Sequence, residues 1–166
     1  PTGGGKVPAL LEDRLVAYTS DDTVHSLDAR TGAILWSSAL RLPEQFSEMD
    51  DGMPRARTER PRRAVLDGQI AVFNGREGLF AVGTVTGKRL WAVPYETTPP
   101  GSTWIRSDTQ MACLDGLLAA VPRAGRLTLM RVADGSKVWE RDLHGERIGF
   151  IWMHADRVIT ADPLSE

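Results

Sequence analysis

His25, His144, His154, the single Cys113 and two acidic pairs are the side chains of this chain whose types could do chemistry. Three imidazoles and a thiol could hold a transition metal, yet none stands at zinc-site spacing from another. Asp21-Asp22 and Asp50-Asp51 lack the alternating oxygen ligands and central glycine of a calcium loop. Gly3-Gly4-Gly5-Lys6 has the glycines and lysine of a phosphate loop without its full spacing, its following hydroxyl or its helix, and reads as a flexible lead-in. No Gly-x-Ser-x-Gly elbow and no triad spacing is present. Catalytic, cofactor-binding and metal-ligating residues are therefore all expected to be none. Cys113, flanked by Met111, Ala112 and Leu114, reads as a buried small apolar residue.

What remains is recognition chemistry. Residues 42–62 are acidic in their first half (Glu44, Glu48, Asp50, Asp51) and basic in their second (Arg55, Arg57, Arg60, Arg62, running into Arg63). Guanidinium forks suit carboxylates and phosphates, so this segment could meet an acidic peptide or a phosphate-bearing partner. It could equally be a solvated loop whose halves neutralise one another. Residues 96–108 carry Thr97-Thr98-Pro99-Pro100-Gly101 and then Trp104 and Arg106. An aromatic beside arginine fits an interaction patch, although Trp104 could instead fold back onto the body. Arg55, Arg57, Arg60, Arg62, Trp104 and Arg106 are the partner-binding candidates.

The elements that position these loops follow from a repeat. Residues 15–36, 70–91 and 118–139 each run from an apolar stretch through a turn to Thr-Gly or Asp-Gly and close on tryptophan. The tryptophans Trp36, Trp91 and Trp139 step by 55 and then 48 residues, as do Gly32, Gly87 and Gly135, while Asp13, Asp67 and Asp115 step almost alike. Apolar residues alternate in short blocks between Gly, Asp and Pro, the signature of short strands, and no helical period is sustained. The expected strands are 7–11, 15–19, 23–28 and 34–40; 63–66, 69–73, 78–83 and 89–95; 110–114, 117–121, 127–132 and 137–143; then 148–154 and 157–161.

Four-stranded antiparallel units of this size bury both faces only by stacking on copies of themselves, as β-propeller blades do. The fold class is all-β, a propeller of about three and a half blades (about 7–40, 63–95 and 110–143, with half of a fourth at 148–161). The recurrent tryptophans and turn glycines are expected to serve blade packing. Trp152 lies outside that register; core packing is the expectation, with lining of a central channel as the alternative.

Leu27-Asp28-Ala29-Arg30-Thr31-Gly32-Ala33-Ile34-Leu35-Trp36 resembles the repeat of the pyrroloquinoline-quinone-type β-propellers, roughly Leu-Asp-Ala-x-Thr-Gly with a tryptophan after three more residues. The second copy keeps Thr86-Gly87 and Trp91 without the aspartate, and the third keeps Gly135 and Trp139. At this unit size a closed ring of seven or eight blades would take roughly twice this length or more, so the chain is expected to be a fragment of one; the resemblance implies an extracytoplasmic location. It also implies one of two functions. The first is a non-catalytic scaffold for a protein or peptide partner, like the propellers of outer-membrane assembly lipoproteins. The alternative is part of a quinone- and calcium-dependent alcohol or sugar dehydrogenase. Members of that enzyme class carry adjacent cysteines, amide and acidic calcium ligands and a catalytic aspartate, whereas this chain has one cysteine and one asparagine, Asn74.

The 166 residues carry a net charge of −2, which argues against a general nucleic-acid surface. Seventeen of the twenty basic residues are arginine, so local arginine runs are partly compositional. No apolar run is long enough to span a membrane as a helix. Open edges on the first and last blades would favour self-association.

Overall fold

In the computed structural model, residues 9–11, 13–19, 23–39, 64–74, 78–95, 110–123, 126–143, 148 and 150–161 are described. They form strands throughout. β1 (Ala9–Leu11), β2 (Arg14–Tyr18), β3 (Thr23–Asp28) and β4 (Ile34–Ala39) make one antiparallel sheet in chain order. β5 (Ala64–Asp67), β6 (Ile70–Asn74), β7 (Gly78–Gly83) and β8 (Arg89–Pro94) make a second. β9 (Met111–Leu114), β10 (Leu117–Arg123), β11 (Arg126–Arg131) and β12 (Lys137–Asp142) make a third, and β13 (Phe150–His154) pairs with β14 (Arg157–Ala161) as a hairpin.

The sheets stack side by side, with the first strands β5, β9 and β13 neighbouring one another along the inner side. The architecture is an incomplete β-propeller of three four-stranded blades and a two-stranded start to a fourth. Side chains alternate between two blade faces, so each strand feeds two interfaces. Val16, Tyr18 and Val24 of blade one meet Ala71, Phe73, Phe80 and Val82 of blade two. Val72, Leu79, Ala81 and Trp91 of blade two meet Met111, Leu118, Ala120 and Met130 of blade three. Ala119, Val121, Leu127 and Leu129 then meet Ile151 of the hairpin. Each fully buried Leu, Val or Phe contributes about 1.5–3 kcal/mol, so the interfaces, rather than the separate sheets, hold the molecule together.

Strand limits differ from the sequence expectation for local reasons. The expected strand at 127–132 is observed as Arg126–Arg131, and the Val132 N–H bond to the Gly116 carbonyl at 2.8 Å continues the same register one pair past the strand's end. The three aspartates do not share one position, a correction to the sequence register. In the hairpins Leu11↔Arg14, Asp67↔Ile70 and Leu114↔Leu117, Asp13 is the second loop residue, Asp67 ends its strand and Asp115 is the first loop residue. The equivalent residues are Asp13, Gln69 and Gly116, whose carbonyls accept from the backbone N–H groups of Ala29, Thr84 and Val132. Asp115 and Gly116, at φ 50° and 77°, provide the two left-handed residues that a tight two-residue hairpin needs.

Trp152 corrects a second expectation. It is 64% exposed rather than core-packed, and its ring stacks on Phe150 at 6.3 Å between centroids. Both point from β13 away from blade three, while Ile151 and Met153 point toward it.

Candidate functional site

Sheet order sorts the connections into two ends. In a meander β1-β2-β3-β4, the β1–β2 and β3–β4 turns share one end, and the β2–β3 turn shares the other with the link to the next blade. Residues 42–62 and 96–108 are such links, so they leave from β4 and β8 and return to β5 and β9 at one end of the stack. Arg55, Arg57, Arg60, Arg62, Trp104 and Arg106 lie outside the described residues, as does His144. What the structure describes is the frame that holds the ends of those loops.

At the loop end the frame is tied by side chains that the sequence reading missed. The Tyr95 hydroxyl, directly after β8, donates to Asn74 Oδ1 at the end of β6, pinning the chain where residues 96–108 begin. Thr19 donates from both N–H and Oγ1 to the Thr23 carbonyl, the hydroxyl at 2.9 Å, and so closes the bend between β2 and β3. On blade three, Arg126 Nη1 lies 2.7 Å from Glu140 Oε1 and its Nη2 lies 3.7 Å from Asp142 Oδ2, with Lys137 Nζ 3.5 Å from Glu140 Oε2. The Arg126 guanidinium holds the Glu140 carboxyl below its ordinary range, so the acid stays ionised. Cross-strand pairing of Arg126 with Asp142 was the available sequence signal, but it needs the register to be known.

At the opposite end each blade repeats one device. Gly32, Gly87 and Gly135 sit at φ 71°, 68° and 72°, and their N–H groups donate four residues back to Asp28, Gly83 and Arg131 carbonyls at 2.8–2.9 Å. The residue before each glycine accepts from the backbone N–H two positions on: Thr31 from Ala33 at 3.3 Å, Thr86 from Lys88 at 3.2 Å and Asp134 from Ser136 at 2.8 Å. Thr and Asp alternate there because each puts an acceptor oxygen at the same reach. Asp28 adds bonds from Arg30 N, Thr31 N and Thr31 Oγ1, and Thr31 lowers its pKa by favouring the charged form.

The tryptophan of one blade closes on the turn of the next. Trp36 Nε1 donates to the Thr84 carbonyl at 2.9 Å, and its ring covers Gly87, where an added Cβ would stand 2.5 Å from Cε3. Trp91 Nε1 donates to the Val132 carbonyl at 2.7 Å, and a Cβ on Gly135 would stand 2.8 Å from its Cδ2. Arg14 Nη1 reaches the same second-blade turn, 3.4 Å from the Val85 carbonyl and 3.5 Å from that of Thr84. Among the described residues nothing stands within 4 Å of a Cβ added at Gly32, and Trp139 is 37% exposed.

Among the described residues, no group of three or more His, Cys, Asp or Glu side chains converges to hold a metal. Asn74 is engaged with Tyr95, and Cys113 donates to the Leu66 carbonyl at 3.0 Å, with burial pushing its thiol pKa up. His25 Nδ1 lies 2.7 Å from Ser37 Oγ, an exposed cross-strand pair. No helix among the described residues is long and apolar enough to cross a membrane.

The family described as "Outer membrane protein assembly factor BamB" matches residues 1–162. No curated protein matches the sequence. Among solved structures the chain is similar to the computationally designed Ika8 protein, with TM-score 0.66 and 13% identity over 94% of this chain and 42% of that one. It is also similar to BamB from Moraxella catarrhalis, with TM-score 0.60 and 18% identity over 90% of this chain and 40% of that one. The Pan2 WD40 domain of Neurospora crassa gives TM-score 0.60 and 14% identity over 98% and 48%. At these identities the structures establish the propeller fold alone, and the chain spans under half the length of each.

Proposed function

Because this chain belongs to the outer membrane protein assembly factor BamB family, we propose that it is part of a non-catalytic propeller scaffold that binds a protein or peptide partner outside the cytoplasm. Family membership is the observation that carries this reading. The blades supply rigidity, since blade one is locked to blade two and blade two to blade three by an indole, and rigid scaffolds with variable loops are a common basis for recognition. The partner contacts are assigned to residues 42–62 and 96–108, which both spring from one end of the stack. Arg55, Arg57, Arg60, Arg62 and Arg106 would pair with carboxylates of the partner, and Trp104 would bury its ring in the contact.

The test uses the complete polypeptide in its own cell. A photo-crosslinking residue at position 57 or 104 is expected to capture a discrete protein. Replacing both loops by short turns is expected to abolish that capture when the crosslinker is moved to a neighbouring blade edge. Capture that survives loop replacement would remove the loops from the site. Turnover of an alcohol or sugar on adding quinone and calcium to the purified full-length protein would overturn the scaffold reading itself.

A further inference from the structure

The outer strands β4, β8 and β12 each end their sheet, so among the described residues one side of each has no pairing strand. Such an edge offers backbone N–H and C=O groups to any extended chain, and charge or proline on the strand discourages the addition. Two of the three edges are guarded in this way. β8 opens on Arg89 and closes on Pro94, and β12 carries Lys137, Glu140, Arg141 and Asp142. β4 has neither device. Ile34, opposite Leu27, stands where Arg89 and Lys137 stand opposite Val82 and Met130, and Ala39 stands where β8 has Pro94 and β12 has Asp142. The six residues Ile34-Leu35-Trp36-Ser37-Ser38-Ala39 hold no charge and no proline, and Ile34 and Leu35 are 62% and 49% exposed. The bulge beside the tryptophan is common to all three strands and does not set β4 apart.

The strand's own residues point to its occupant. A short uncharged segment of branched, aromatic and hydroxyl side chains, without proline or glycine, has the composition that pairs with identical copies of itself. The order of side-chain sizes agrees. Antiparallel pairing of two copies about a two-fold axis sets residues of the same strand face opposite one another. Centred on Ser37, it places Ser37 against itself, Trp36 against Ser38 and Leu35 against Ala39, so each large side chain meets a small one. Centred on Trp36, it would set two indoles against each other, and Trp36 is held in place by its bond to the Thr84 carbonyl. The first register is therefore the favoured one.

We propose that β4 is a self-association edge, on which a second copy of this chain lays its own β4 antiparallel about Ser37 and joins the two first blades into one eight-stranded sheet. This surface is separate from the hairpin face of Phe150 and Trp152 and from residues 96–108, and the pairing does not depend on the scaffold reading. Six residues of edge make a small contact, so the dimer is reversible.

Sedimentation equilibrium of the full chain carrying Trp152→Lys, which takes the hairpin face out of play, tests this. A dimer that dissociates on dilution is expected, with hydrogen exchange at residues 34–39 slowing as the chain concentration rises. Ser37→Glu copies Glu140 of β12 and sets two like charges opposite one another on the two-fold axis, and is expected to raise the dissociation constant about tenfold. Ala39→Pro copies Pro94 of β8, a place where a blade already tolerates proline, and is expected to weaken the dimer similarly by withdrawing an N–H from the edge. Should one variant fail to fold, the other still decides. A dimer that neither substitution weakens overturns the proposal. A chain that stays monomeric at every concentration also overturns it, even if an alternating Thr-Val hexapeptide protects residues 34–39, which would give the edge to peptides instead of a second copy.

Discussion

Gly87 and Gly32 occupy one repeat position with nearly the same backbone, φ 68° and 71°, yet they do different work. An alanine at Gly32 incurs only the left-handed backbone penalty, about 1–2 kcal/mol. At Gly87 the added Cβ also meets Trp36 at 2.5 Å, so the indole has to leave the turn and give up its bond to Thr84. Gly87→Ala is therefore expected to cost about 3–5 kcal/mol, the range for losing a buried aromatic contact. Urea unfolding of both variants measures this, and equal losses would contradict the indole's role. Glycine and tryptophan were legible here because their spacing recurs. Arg14, Asn74 and Tyr95 were not, because no repeat spacing marks them; the hairpin register puts Ile70 and Leu117 where blade one has Arg14.

Among elements, the outer strands β4, β8 and β12 show why alternation alone misreads a blade. Pairing slips between Ser26 and Leu27, Ala81 and Val82, and Leu129 and Met130, leaving Leu35, Leu90 and Val138 as extra residues beside each tryptophan. Strict alternation would turn these three into an interface opposite the tryptophan. As bulge residues they point to solvent and are 49%, 44% and 44% exposed. Leu90→Thr is expected to change stability by less than about 0.5 kcal/mol. Leu118→Ala, at a position 0% exposed between blades two and three, is expected to cost about 2–5 kcal/mol. Thermal melts that rank the two the other way would refute the bulge assignment. The strands 23–28, 78–83 and 157–161 were legible to the residue, since their turns carry Gly, Asp or Thr at both borders.

At the scale of the molecule, the last strands end in an apolar surface. Phe150, Trp152 and Ile159 are 49%, 64% and 48% exposed on the hairpin face that points away from blade three. That surface matches in character the faces buried between the other blades, and a chain presenting it is expected to self-associate. Sedimentation of residues 1–166 should show association that rises with concentration and falls in Trp152→Lys. A monomer at every concentration would contradict it.

The amino-acid order alone specifies the short strands, their turns and the repeat, because strand alternation and turn chemistry act between residues a few positions apart. It also places a tryptophan at a constant distance after each turn glycine. What each blade meets is settled by packing across the stack, as when Trp36 finds Thr84, 48 positions along the chain. The same packing turns Leu90 outward and leaves Trp152 exposed. The partner of each face lies on another blade, so no single repeat records what it meets.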